Sequence, residues 1–105
     1  VVARAAKMDP DVGINLFASM VAWDAREMER ALSTLKAPLM LIQSTYLNTQ
    51  RKRVPLTPGQ STPWLDIVRE IRPDASIEII SGVGHFTMFE APEAVNSLLD
   101  AFCAA

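Results

Sequence analysis

The first third of the chain carries apolar residues at helical spacing. Asp9 can cap a helix, and Pro10 suits the first turn because that position needs no backbone N–H donor. The spacing predicts a helix from Pro10 to about Trp23, with an apolar face formed by Val12, Leu16, Phe17, Met20 and Val21.

A second helical pattern covers residues 24–36. Asp24 can cap its start, and the position before Pro38 is biased away from the helical conformation. Charged residues share one side of this helix, and the apolar side is formed by Met28, Ala31, Leu32 and Leu35. We therefore expect two consecutive amphipathic helices before the first strand.

Two short runs, residues 39–42 and residues 76–80, have the length of strands rather than of helices. The first run is apolar throughout, which is typical of a strand in a parallel sheet. Between them a helix is predicted to begin near Ser61-Thr62-Pro63 and to bury Trp64, Ile67, Val68 and Ile71. Strand–helix–strand is the right-handed parallel crossover. Two strands do not complete such a sheet, so we expect further strands outside this sequence.

The remaining segments are predicted from prolines, polar stretches and the spacing of apolar residues. Residues 45–60 are polar and are predicted to form one long loop, whose Arg51-Lys52-Arg53 triplet we interpret as a solvated face rather than an anion site. Met88 and Phe89 are predicted to be core residues. A last helix is predicted from Pro92, with an apolar face formed by Ala94, Val95, Leu98, Leu99 and Phe102.

Composition narrows the classes of function. The chain has 105 residues, 50% of them apolar, and a formal net charge of −2, which favours one globular domain and no nucleic-acid partner. No apolar run approaches the about 20 residues of a membrane span. The lone Cys103 excludes an internal disulfide framework. We expect no metal, no cofactor and a cytoplasmic location.

His85 is the only histidine, and it directly follows Gly82-Val83-Gly84 after the second predicted strand. Active sites of open α/β sheets form beyond the carboxyl ends of the strands. Glycines allow a sharp turn and a close approach to the imidazole, which changes protonation near neutral pH. His85 is thus a candidate general base. On local chemistry alone, a structural histidine bonded to the backbone is the alternative.

Several features, in this order, resemble the carboxyl-terminal part of an α/β-hydrolase fold enzyme. Residues 38–42 resemble the penultimate core strand of that family, and residues 79–86, Ile-Ile-Ser-Gly-Val-Gly-His-Phe, resemble its last strand and catalytic-histidine loop. Residues 90–102 resemble its C-terminal helix. The resemblance implies an α/β fold with a parallel sheet flanked by helices, in which residues 1–22 end a helical cap region and residues 23–105 belong to the core.

The resemblance also implies a function. A carboxylesterase-like hydrolase would cleave an ester, amide or similar bond of a small, mainly apolar substrate, and His85 would take the proton of the nucleophile and give it to the leaving group. Phe86 and Tyr46 are the candidate substrate-binding residues. Esterase, lactonase, epoxide hydrolase and haloalkane dehalogenase all stay open as subclasses.

The sequence departs from the family pattern at the other members of the catalytic triad. No Gly-x-Ser-x-Gly turn surrounds Ser44, Ser61 or Ser81. No carboxylate lies within residues 43–48, where Asn48 could orient an imidazole but could not supply a charge. We therefore expect the nucleophile on an N-terminal portion of the same hydrolase, without which this chain is inactive. The acid either follows an earlier strand outside this sequence, or the mechanism is altered.

A second class of function stays open. A degenerate relative of the fold can bind a ligand or a partner without turnover, and the absent acid favours that alternative. Because the sequence opens at Val1 inside a helical pattern, we expect a piece of a longer protein. Expressed alone, it is expected to expose apolar sheet faces and a strand edge, and to aggregate.

Overall fold

A computed structural model describes residues 2–105, which divide into two compact units. The first unit ends at Lys36, and the second spans Ala37–Ala105. The helical start expected at Val1 lies outside the described residues. The assignment of residues 1–22 to a cap region and of residues 23–105 to a hydrolase core stays a prediction.

The first unit consists of helices α1 (Val2–Ala5), α2 (Pro10–Arg26) and α3 (Met28–Thr34). The predicted cap of α2 is confirmed, because the Asp9 carboxylate accepts the backbone N–H groups of Asp11 at 3.0 Å and Val12 at 3.2 Å. Pro10 occupies the first turn. Neither α2 nor α3 contains a buried side chain.

The prediction that Asp24 caps the second helix is wrong. Helix α2 continues through Asp24 to Arg26, and the break falls at Glu27, whose backbone N–H still donates to the Trp23 carbonyl at 2.8 Å. Ala25, Arg26 and Glu27 are good helix formers without Gly or Pro among them, so the hydrogen-bond ladder runs past the capping residue. A residue that can cap a helix does not start one where its neighbours favour continuation.

The second unit is α/β. Its strands are β1 (Met40–Gln43), β2 (Thr45–Leu47), β3 (Arg53–Pro55) and β4 (Ser76–Ile79), and its helices are α4 (Pro63–Ile71), α5 (Thr87–Glu90) and α6 (Pro92–Ala104). Strands β1 and β4 pair in parallel, with Met40 opposite Ser76 and Gln43 opposite Ile79. The predicted parallel strand pair, with a helix between its strands in the sequence, is confirmed.

The prediction of one unbroken loop over residues 45–60 is wrong. Strands β2 and β3 form an antiparallel hairpin in which Tyr46 lies opposite Val54 and Leu47 lies opposite Arg53. Asn48 closes the turn, because its side-chain oxygen accepts the backbone N–H groups of Gln50 at 2.9 Å and Lys52 at 3.0 Å. Polar residues hid this hairpin, since its strands have only three residues each and no alternating apolar face.

The fully buried apolar side chains of the second unit come from a loop and from one helix. Leu56, Leu65 and Val68 have no exposed surface, and Val95 of α6 is also buried. Thr62 caps α4 by accepting the Leu65 N–H at 3.2 Å, as the Ser-Thr-Pro start predicts. The predicted buried stripe is only partly right, because Val68 is buried whereas the other predicted positions Trp64, Ile67 and Ile71 are half-buried.

Helix α5 corrects the assignment of Met88 and Phe89 to the core. Phe89 is 79% exposed and Met88 is 52% exposed, whereas Thr87 is buried. A single-turn helix has one inward-facing position, and here Thr87 takes it. None of the helices between residues 2 and 105 combines the length and hydropathy needed to cross a membrane.

Arg72 joins the chain segments that lead into the two parallel strands. It is buried, its Nη2 donates to the Ala37 carbonyl at 3.0 Å, and its Nε and Nη2 reach the Asp74 carboxylate at 2.9 Å and 2.8 Å. This hydrogen bond lowers the pKa of Asp74 below its ordinary value and raises the pKa of Arg72. A two-point guanidinium–carboxylate pair of this kind fixes orientation as well as charge.

Candidate functional site

The loop between β4 and α5 carries His85 and is fixed where it leaves β4, before its glycine turn. The backbone N–H of Ile80 donates to the Gln43 carbonyl at 3.0 Å, and the Ser81 hydroxyl donates to the carbonyl of buried Leu56 at 3.1 Å. Gly82 then turns the chain at a φ of 80°, a conformation that residues with a Cβ rarely adopt. His85 follows as an exposed residue.

Ser44 connects this loop to the carboxyl end of β1. Its buried hydroxyl donates to the Gly84 carbonyl, and its own carbonyl accepts the Leu56 N–H at 2.8 Å. A serine side chain used in this way holds the residue directly before His85 in place. Ser44 is therefore a positioning residue of the loop, and its proton is not available to His85.

The hairpin brings Arg53 to His85. Arg53 Nη1 lies 3.3 Å from His85 Nδ1 and donates to the hydroxyl of buried Thr45 at 3.0 Å. A guanidinium has only donors, so Nδ1 accepts this hydrogen bond. The proton of the neutral imidazole consequently lies on Nε2. Arg53 is exposed, as the solvated triplet predicts, but unlike Arg51 and Lys52 it also contacts His85.

A cleft of about 430 Å³ lies beside this cluster. Its apolar wall is formed by Ile42, Tyr46, Leu47, Pro63 and Trp64. Its polar lining includes Ser44, Thr45, Arg53, Thr62 and His85. No acidic side chain lines the cleft in the part of the chain that the structure describes.

The two predicted substrate-binding residues have different positions. Tyr46 lines the cleft together with His85, and its phenol oxygen accepts a hydrogen bond from Gln60 Nε2 at 3.2 Å. Phe86 is exposed and contacts the His85 ring edge-to-face at a centroid distance of 5.1 Å, but it is not among the residues that line the cleft. Both roles stay predictions.

The other candidate residues of the sequence analysis are engaged elsewhere. Ser61 donates to Asp66 Oδ1 at 2.6 Å and accepts from Arg69. These three residues form a surface cluster at α4. Asn48 holds the hairpin turn and has no hydrogen bond to His85. Among residues 2–105, no group of three or more His, Cys, Asp or Glu side chains could share a metal ion, and Cys103 is a free, exposed thiol.

Three residues of this site were not predicted from the sequence. Arg53, Thr45 and Trp64 line the cleft with His85, although the first two were assigned to a loop and the third to the core. The polar Arg53 followed by the apolar Val54 is a weak signal of a strand, because successive strand residues face opposite sides of a sheet. The residues that pair with this strand lie six or more positions away in the sequence, so the signal does not identify them. Comparison with known proteins adds no assignment, because no family model, curated protein sequence or solved structure matches the chain.

Proposed function

We propose that this chain supplies the general-base histidine of an α/β-hydrolase-like enzyme that cleaves an ester, amide or similar bond of a small, mainly apolar substrate. The observation that carries the proposal is the position of His85. It is exposed, follows a glycine turn after a strand of a parallel pair, and lines a cleft with an apolar wall. In parallel α/β sheets, this end of the strands is where substrates bind.

In this proposal the residues that line the cleft and the neighbouring Phe86 have separate tasks. His85 Nε2 receives the proton of a nucleophile that an N-terminal portion of the same enzyme contributes. Tyr46 and Trp64 hold the apolar body of the substrate, and Phe86 keeps the imidazole oriented through its edge contact. The chain alone performs no hydrolysis, because none of the serines near the site donates a hydrogen bond to His85 among the described residues.

In this proposal Nδ1 of His85 must carry a proton and donate it in a hydrogen bond to the acid. A triad acid accepts a hydrogen bond from Nδ1–H, which keeps the proton on Nδ1 and leaves Nε2 free to act as the base. With Arg53 donating to Nδ1, the neutral ring carries its proton on Nε2 instead. The incoming acid must therefore displace the Arg53 hydrogen bond from Nδ1.

The test begins with intact mass spectrometry of the purified protein, first native and then denatured. A larger polypeptide that travels with the chain and carries a nucleophile turn supports the proposal. That material should hydrolyse p-nitrophenyl butyrate, and His85→Ala should lower kcat by about 10³-fold or more. Added imidazole should restore part of the rate to His85→Ala, because it replaces the base but not a structural side chain.

The matched control is Asn96→Ala, an exposed position on α6 away from the cleft, which should leave kcat unchanged. An unchanged kcat in His85→Ala would contradict the base role. A folded 105-residue chain that travels without any second polypeptide would contradict the hydrolase proposal for this molecule and would favour a binding module.

A second candidate function is a binding module without turnover. The Arg53 guanidinium at Nδ1 favours it, because that contact selects the tautomer whose Nε2 cannot accept a proton. In this case His85 orients Arg53 rather than a nucleophile. The two candidates separate on one measurement, since a binding module shows ligand affinity and no turnover of any ester.

A further inference from the structure

We propose that Arg53 is a carboxylate-binding residue and that the cleft accepts a small monocarboxylate with an apolar body. Carboxylate binding here rests on the cleft that both candidate functions use, but it requires neither a nucleophile nor turnover. The unused hydrogen-bond donors of Arg53, the charge of the cleft and its apolar walls support carboxylate binding.

Arg53 has hydrogen-bond donors that no residue in the described part of the chain uses. Both Nη1 hydrogens are directed to protein acceptors, one to Thr45 Oγ1 at 3.0 Å and one to His85 Nδ1 at 3.3 Å. Within residues 2–105, no acceptor or carboxylate pairs with Nε or Nη2 of Arg53. The Nε–Nη2 edge of a guanidinium matches the two oxygens of a carboxylate.

Arg53 is also held in place before any ligand arrives. The two Nη1 acceptors come from different elements, Thr45 at the start of β2 and His85 after β4. Thr45 is buried, and the backbone of its strand is paired with β3. A guanidinium fixed at two points loses less conformational entropy on binding than a free surface arginine.

The charge of the cleft favours an anionic ligand. Arg53 is the one permanently charged side chain among its described lining residues, and none of the others is acidic. The nearby exposed cations Arg51 and Lys52 lie on the hairpin turn and do not line the cleft. One guanidinium with one free edge matches a monoanion, whereas a phosphate dianion calls for more positive charge.

The remaining wall of the cleft is mainly apolar and favours a ligand with an apolar body. Trp64 and Tyr46 offer aromatic surface, and Ile42 and Leu47 add aliphatic surface. A volume of about 430 Å³ lies within the range of small-molecule sites, which combine apolar walls with a few fixed polar groups. The ligand that fits this combination has a carboxylate at one end and an aromatic or aliphatic body.

The test uses phenylacetate as the probe, on the purified protein with any co-purifying polypeptide retained. Ligand-observed NMR titration at one fixed ionic strength should give a Kd on the order of 1 mM. Phenylacetamide, which lacks the charge, and acetate, which lacks the apolar body, should each bind about tenfold more weakly. Equal affinity for phenylacetate and phenylacetamide would overturn the proposal.

Matched variants assign the effect to Arg53. Arg53→Gln should weaken phenylacetate binding by about tenfold, and Arg53→Lys should retain only part of the affinity because it keeps the charge but loses the two-point edge. Arg51→Gln removes the same charge two residues away and should change the Kd less than about twofold. Circular dichroism shows whether each variant keeps its secondary structure.

Three further outcomes would contradict the proposal. Equal losses in Arg53→Gln and Arg51→Gln would indicate general charge attraction instead of a site. Retained affinity in a folded Arg53→Gln variant would remove Arg53 from the site. Tighter binding of phenyl phosphate than of phenylacetate would replace the carboxylate by a phosphate. Failure of phenylacetate binding would leave the ester-hydrolysis assay to decide the hydrolase proposal independently.

Discussion

The two units of this chain differ in how their residues become ordered. Helices α2 and α3 of the first unit bury no side chain, and α2 is fixed by its own hydrogen bonds and by the Asp9 cap. In the second unit, bonds such as Ser44 to Gly84 and Ser81 to Leu56 join residues 40 and 25 positions apart. The candidate site lies in the second unit, because only long-range bonds can hold side chains from separate segments together.

Each unit carries one tryptophan, which makes the comparison measurable. Trp23 lies in α2 and Trp64 lies in α4, and the chain has 2 tryptophans in all. Trp23→Phe leaves a reporter for the second unit alone, and Trp64→Phe leaves one for the first. Urea unfolding followed by fluorescence then reports on each unit separately.

The largest effect is expected from a core leucine. Leu65 is 0% exposed, so Leu65→Ala should lower the free energy of unfolding of the second unit by about 2–5 kcal/mol through lost burial and a cavity. The same substitution at Leu16 of α2, which is 59% exposed, should cost less than about 0.5 kcal/mol. Urea midpoints measure both, and equal losses would remove the distinction between the units.

Glycine substitution should have opposite signs in the two units. Gly82→Ala should destabilise the second unit by about 1–2 kcal/mol, because a Cβ at a φ of 80° is strained. Gly13→Ala should stabilise α2 by up to about 1 kcal/mol, since alanine favours the helix interior. The added Cβ at Gly13 meets only the flexible Met8 side chain, whose sulfur lies 3.2 Å away. Stabilisation by Gly82→Ala would contradict the strained-turn account of the His85 loop.

The two confirmed caps should act only on their own units. Asp9→Ala and Thr62→Ala each remove a side-chain acceptor from a helix start and should cost about 1 kcal/mol. Asp9→Ala is expected to shift the Trp23 transition, whereas Thr62→Ala is expected to shift the Trp64 transition. Shifts of both transitions by either variant would show that the units unfold together.

The smallest effect concerns the Arg72–Asp74 pair, and it depends on pH. The Arg72 hydrogen bond lowers the pKa of Asp74, so the stability it contributes is present above the ordinary carboxyl pKa and is lost as pH falls through the lowered value. The difference in stability between the parent and Asp74→Asn should therefore be full at pH 7 and should shrink below about pH 4. Thermal melts at a series of pH values measure it, and a difference that grows on acidification would contradict the pair.

Much of the fold was accessible from local pattern. The caps at Asp9 and Thr62, the parallel strands after Pro38 and before Ser81, and the helix at Pro92 were all predicted within a few residues. Each depends on a signal within one turn or one strand, such as a capping oxygen, a proline or an apolar run. The predictions failed where neighbours outweighed the local signal, as at Asp24, or where an element was too short to bury a face, as at Met88 and Phe89.

The sequence by itself determined that His85 follows a glycine turn at the end of a strand, because strand, turn and histidine are adjacent along the chain. Only the tertiary structure decided which group meets its Nδ1 nitrogen. Arg53 is 32 residues away in the sequence and reaches His85 through a hairpin whose polar strands carry no local signature. Backbone pairing between separate segments sets that distance, and with it the tautomer of the imidazole and the charge of the cleft.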